Sequence, residues 1–276
     1  MFQDKQIRII SRIAILILVV LVAFFVYTKI LKVNLEKSIE SKPATLSLTT
    51  DSNIFGLESI IVYSSANALN NSDMQLDYCD LNLYQFNDIA IKIDNHVSID
   101  DFTQKNTVKQ IYIDNISYPK MPKQGTPTLY YKIPTDMGSA IIDEGKLIKD
   151  RIDYNVLTEN VDEPVEPSFY TDCSNPIVLS SINQGIEENL EIRNTKSAVM
   201  FDGNLLLDAD ILLSKITYEI DFDIHILNNL DEEYICYVSL PIKLSDDNDF
   251  KTIYDGSYSV MYNDLKNSRF YKLVQE

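Results

Sequence analysis

Residues 215–226 read KITYEIDFDIHI, and this alternation decides the fold. Ile216, Tyr218, Ile220, Phe222, Ile224 and Ile226 fall on one side of an extended chain. Lys215, Thr217, Glu219, Asp221, Asp223 and His225 fall on the other. Successive side chains of a strand point to opposite faces, so the pattern is that of a half-buried strand with one wet face. After the turn-rich Asn228-Asn229-Leu230-Asp231-Glu232-Glu233, alternation resumes through Tyr234, Cys236, Val238, Leu240, Ile242 and Leu244. The two runs predict a long antiparallel hairpin.

Upstream of this hairpin, noisier alternating runs occur at 57–63, 76–86, 89–93 and 108–118, separated by Asp, Asn and Ser. Seven of the nine prolines lie between Pro119 and Pro176, a density that reads as loops, an edge-rich insertion or a linker. The expected fold class is therefore mainly β, or α+β, with sandwich-like antiparallel sheets in one or two lobes. Its divisions are a β-rich lobe at 44–118, a Pro-rich linker or loop insertion at 119–168, and a second β-rich lobe at 169–276. Short helices near 141–156 and 262–273 are expected to decorate them.

The N-terminal end has another character. Ile13 to Thr28 is an uncharged run of sixteen residues bracketed by Arg12 and Lys29. As a helix it spans about 24 Å, a little short of the ~30 Å hydrocarbon core, and snorkelling flanks make up the difference. The reading is a short basic tail at 1–12, a transmembrane helix at 13–30 and an amphipathic stalk at 31–42, ended by Pro43. Ile13, Leu18, Leu21, Phe24 and Phe25 contact lipid, and Tyr27 suits the interface. A cleaved signal peptide is the competing reading, but no pair of small residues in an A-x-A arrangement leaves the run. The basic tail is expected in the cytoplasm and the C-terminal domain outside it, giving a single-pass signal-anchor topology.

The net charge is -17 over 276 residues, with 24 Lys+Arg against 41 Asp+Glu. Residues 43–276 hold 17 of those cations and 38 of those anions, a balance of 17 minus 38, or -21. Nucleic acid is excluded as a partner, because its binding depends on cations that neutralise phosphate. Seven Gly, two His and no Trp leave little material for phosphate cradles, His-based catalysis or sugar stacking.

Acidic clusters are the recurrent functional material. Asp208, Asp210, Asp221, Asp223, Asp246 and Asp249 are the metal candidates, with Ca²⁺ the ion that such oxygen-rich turns suit. None has EF-hand spacing, and a solvated acidic face is the competing account. His225 lies beside Asp223 on the polar face, whereas His96 falls in an Asp-Asn-His turn. Neither belongs to a nucleophile motif, so no catalytic or cofactor-binding residue is assigned. Of the three cysteines, Cys79 and Cys173 are the candidate pair for a disulfide, against three buried thiols.

These features make the expected function non-enzymatic. It is a membrane-anchored structural component whose acidic β-rich ectodomain makes protein contacts in an envelope, secretion or virion-membrane assembly. Its partners are the bilayer, through 13–30, and other membrane or envelope proteins. A Ca²⁺- or ligand-binding sensor or adhesion ectodomain is the alternative, and an envelope hydrolase a more distant one.

Overall fold

A computed structural model describes residues 46–49, 54–70, 78–95, 103–139, 142–158, 166–193, 206, 209–244, 257–263 and 269–275. The chain divides into one unit of Leu48–Leu273 and another of Met1–Ser47 with Val274–Glu276, of which only strand ends are described. Thirteen strands account for most of the described residues: β1 (Leu46–Thr49), β2 (Gly56–Asn70), β3 (Tyr78–Asp94), β4 (Val108–Lys120), β5 (Thr126–Lys132), β6 (Leu147–Ile148), β7 (Ile152–Leu157), β8 (Ser168–Tyr170), β9 (Ile177–Arg193), β10 (Tyr218–Asn228), β11 (Glu233–Ile242), β12 (Ser257–Tyr262) and β13 (Phe270–Gln275). They form a seven-stranded sheet in the order β1-β13-β11-β10-β4-β7-β8 and a six-stranded sheet in the order β12-β2-β3-β9-β5-β6. From β2 to β13 the strands pair antiparallel, except β7 with β8, which is parallel.

The hairpin forms as its alternation demands. β10 and β11 pair from Tyr218 opposite Ile242 to Leu227 opposite Glu233. Asn228 closes the turn: its side-chain oxygen accepts from the Leu230 and Glu232 amides, and Asp231 takes a positive φ of 61°. Asn and Asp tolerate that conformation better than most residues, and this Gly-poor chain also uses Asn115 and Asn189 there.

Both sheets send their apolar faces into one core. Ile220, Phe222, Ile224 and Ile226 from β10 meet Ile60 and Val62 from β2, Ile89, Ile91 and Ile93 from β3, and Ile177 and Leu179 from β9. The two-lobe division does not survive this arrangement. β4, from the proposed first lobe, pairs with β10 from the second, and β3 pairs with β9. The proposed linker supplies β5 to β7, which join both sheets.

Its prolines mislead because they occupy places where a sheet makes no use of an amide. Pro127 lies in β5 opposite Asn183 of β9, but on the other flank β6 reaches only Leu129 and Tyr130. Pro241 in β11 likewise lies beyond the Tyr234–Cys236 stretch that β13 covers. The expected helices are also corrected. Residues 142–156 form a 3₁₀ turn at Glu144–Lys146 with β6 and β7, and the described parts of 262–273 belong to β12 and β13. Period-two segments this short resemble helix turns until their cross-strand partners are known.

A polar band interrupts the apolar interior. Ser64, Gln85, Asn87, Ser181 and Asn183 are fully buried. Asn87 donates to the Tyr218 hydroxyl at 2.8 Å and to the Ser181 carbonyl at 3.0 Å, while Gln85 donates to Asn87 at 2.7 Å. Beyond this band a second apolar cluster gathers Ala66, Ala68, Leu81, Leu83 and Ile186 around the helical turn Leu213–Ile216.

The outer face of the six-stranded sheet holds a buried ion pair. Lys132 Nζ lies 2.7 Å from both carboxylate oxygens of Asp88, and their side chains are 2% and 0% exposed. Asp88 also accepts from Ser180 Oγ and the Gly138 amide, and Lys132 donates to the Ser139 carbonyl. The pair therefore fastens the 133–139 segment to the sheet with its donors and acceptors met. Lys132→Ala should cost about 3–5 kcal/mol, because it strands a buried carboxylate. Urea unfolding of the full chain checks this, and the double change Asp88→Leu with Lys132→Met should cost less than the single one.

Candidate functional site

On the outer face of the seven-stranded sheet, β4 and β10 bring polar side chains together. The register places Asp223 opposite Asp114 and His225 opposite Tyr112. A bulge follows, because Asp221 is opposite Ser117, so two residues of β10 span three of β4. Asn115 absorbs the extra residue with φ of 52°, and its Nδ2 donates to Asp223 Oδ2 at 2.6 Å. Directly opposed like charges destabilise a sheet, so two carboxylates here require compensation.

His225 supplies part of it. The residue is only 8% exposed, and its ring stacks on Tyr112 with centroids 4.4 Å apart and 7° between planes. On the ring's Nδ1 side Glu233 Oε1 lies at 2.9 Å, where it also accepts from Tyr112 Oη at 3.0 Å. The bond from His225 holds the Glu233 carboxyl below its usual range. Arg151 lies over the other side of Tyr112, 3.6 Å from the ring centroid, and pairs with Asp153. Burial first, and then the Glu233 charge, raise the Tyr112 hydroxyl, so it stays protonated and acts as a donor.

The other ring nitrogen is unusual. His225 Nε2 lies 3.1 Å from Asp114 Oδ1, close enough for an ion pair. Neither atom makes an aligned hydrogen bond, and both are buried. The distance and the angle disagree, and the angle decides, since a hydrogen bond weakens steeply off axis. One ligand atom each from Asp114, Asp223 and His225 lies within 4.8 Å of the others.

Among the described residues, Asp223 is the one metal candidate from the sequence that lies in this cluster. Asp221 is on the same strand face, and burial raises its carboxyl. Asp210 is an exposed turn residue, and Asp208, Asp246, Asp249 and His96 lie outside the described residues. Asp114 was not legible as a partner, because its place depends on the β4 to β10 pairing across more than a hundred residues. The expected wet face of β10 is also corrected at this end: Asp223 and His225 are buried, with the Tyr112 ring stacked on His225 and Asn115 bonded to Asp223.

Of the candidate disulfide pair, Cys173 is a free buried thiol, as is Cys236, and the Cys79 side chain lies outside the described residues. Burial pushes both thiols up to about 12, which removes the thiolate a nucleophile needs. Cys236 also belongs to the core cluster on the opposite sheet face from His225. A groove of about 410 Å³ lies elsewhere, lined by Tyr84, Gln184 and Glu188 among others, and shares no residue with the cluster.

A second feature is the rim strand β12. It ends the six-stranded sheet, pairing with β2 from Ser257 opposite Ser65 to Tyr262 opposite Ile60. Its sequence SYSVMY carries no charge, and Met261 is 56% exposed. Val260 and Tyr262 turn inward against the core. Among the described residues no strand pairs with its outer side.

No family model, no curated protein and no solved structure matches the chain.

The bulge makes a direct prediction. Asn115→Gly keeps the left-handed conformation and loses only the bond to Asp223. Asn115→Ala loses both, and should be the more destabilising by about 1–2 kcal/mol. Denaturant midpoints of the two variants, compared at equal slope, check the order.

Proposed function

We propose that the chain is a single-pass membrane protein whose acidic β-rich domain acts by protein contact outside the cytoplasm, in an envelope, secretion or virion-membrane assembly. Residues 13–30 anchor it, with the basic tail 1–12 inside. The apolar run lies outside the described residues, and among those described no helix is long and apolar enough to cross a membrane. Support for the anchor comes from the uncharged run itself, its Arg12 and Lys29 flanks, and the poor cleavage context behind it.

The single observation behind protein contact is the uncharged rim of β12. Sheet edges normally carry Lys, Pro or a bulge that discourages pairing. Here a part of the chain with a balance of -21 leaves six edge residues without a charge and a methionine facing outward. An extended segment of another protein adds to such an edge through main-chain hydrogen bonds, and alternate side chains set specificity. Methionine adapts to varied apolar surfaces.

A photo-reactive amino acid at position 261 of the full chain, in its native membrane, should cross-link to another membrane or envelope protein. Met261→Lys should reduce that partner's co-purification at least tenfold. Recovery of monomer alone would contradict the reading. Protease treatment of intact cells or particles should digest residues 43–276 while sparing the anchored tail.

A further inference from the structure

We propose that Asp114, Asp223 and His225 form a binding site for a divalent transition-metal ion of the Zn²⁺ class. Three independent features of the site point to it. One nitrogen and two carboxylates converge within 4.8 Å from two adjacent strands, where side-chain positions are held by the sheet. His225, nine-tenths buried, aims Nε2 into this space without an aligned hydrogen bond, and the atom it faces, Asp114 Oδ1, is also buried and unaligned. Behind the ring, Nδ1 lies 2.9 Å from Glu233, an arrangement in which a carboxylate orients a metal-bound imidazole.

The separations fit a metal better than a proton. With Nδ1–H donated to Glu233, Nε2 offers a lone pair toward an anionic oxygen 3.1 Å away, and two acceptors facing each other repel. A cation between them removes the repulsion. Placed about 2.1 Å from each, as zinc–nitrogen and zinc–oxygen bonds require, it would see the 3.1 Å pair under an angle of about 95°. That is the angle of neighbouring ligands in octahedral coordination and lies within reach of tetrahedral.

Asp223 supplies the third ligand atom, and Asn115, bonded to its Oδ2, orients the carboxylate. Water completes the shell. The ion also brings positive charge to Asp114, since Arg151 is engaged with Asp153 and the Tyr112 ring.

The donor set selects the ion. Imidazole with carboxylates suits zinc, manganese or iron, whereas Ca²⁺ takes six to eight oxygens at longer range and this site has a nitrogen and a short donor separation. The site thus departs from the calcium expectation in its ion and, apart from Asp223, in its residues. On this face an ion would lock β4 to β10 and leave water-bound positions that a carboxylate of another molecule can occupy.

The test uses the full-length, tag-free chain in detergent micelles, with Zn²⁺ and Ca²⁺ as probes of thermal unfolding and Co²⁺ as a spectroscopic probe. Zn²⁺ at a hundredfold excess over its dissociation constant should raise the midpoint by about 5–10 °C, and Ca²⁺ at equal concentration should not. Co²⁺ should give visible d–d absorption that Zn²⁺ displaces. His225→Gln and Asp114→Asn should abolish both signals, Glu233→Gln should weaken affinity by about 10–100-fold, and His96→Gln should change neither. No Zn²⁺ shift and no Co²⁺ spectrum with the folded wild-type chain would overturn the proposal. So would signals that survive in a folded His225→Gln chain. The Co²⁺ spectrum of the unmutated chain decides even if a variant fails to fold.

Discussion

The pairing of β4 with β10 is the constraint on which the rest of the structure depends. It is a contact between segments about a hundred residues apart, and it joins the hairpin to the earlier part of the chain. Its register is held from inside, because Ile111 and Ile113 of β4 and Ile224 and Ile226 of β10 must all face the core. A slip of β10 by one residue would turn Ile224 and Ile226 outward and bring Asp223 and His225 inward. The apolar side of the sheet therefore decides which polar groups meet on the other side. The bulge at Asn115 then limits the regular pairing to the stretch where Asp114, Asp223, Tyr112 and His225 assemble.

Polar groups inside the sandwich add specificity at an energetic cost. The band of Asn87, Ser181 and Tyr218 sits between two apolar clusters, and each bond in it replaces a hydration that was free in the unfolded chain. What such a band contributes is discrimination, since a misregistered sheet would leave these atoms buried and unbonded. The Asp88–Lys132 pair acts similarly on the outer face, tying a Pro-bounded segment to a sheet it would otherwise only cover.

The hairpin was legible because its signal is local: twelve residues in strict alternation, a turn of Asn and Asp, then alternation again. The joining of the two proposed lobes was not, because pairing partners leave no mark within either strand. Prolines such as Pro127 and Pro241 signal a break in most sheets, and only the lengths of the neighbouring strands show that these two amides are not needed. Within the site, Asp223 and His225 were visible as neighbours on one face. Asp114, Glu233 and Tyr112 became their partners only through the register and the hairpin. Asn115 carried no structural signal at all, since a left-handed bulge in a Gly-poor chain looks like any other Asn. The expected anchor is the reverse case, with its evidence wholly in composition and its residues outside those described.

Among the described residues, an edge with no neighbouring strand lies on one sheet, and the compact cluster of Asp114, Asp223 and His225 lies on the outer face of the other, so the two features are separable by mutation. The most direct measurement of the account is a crystal of the chain soaked in Zn²⁺ and recorded on both sides of the zinc absorption edge. The account predicts one anomalous peak about 2.1 Å from His225 Nε2, with oxygens of Asp114 and Asp223 at bonding distance. A peak elsewhere, or a β4 to β10 register in which Asp114 does not face Asp223, would contradict it.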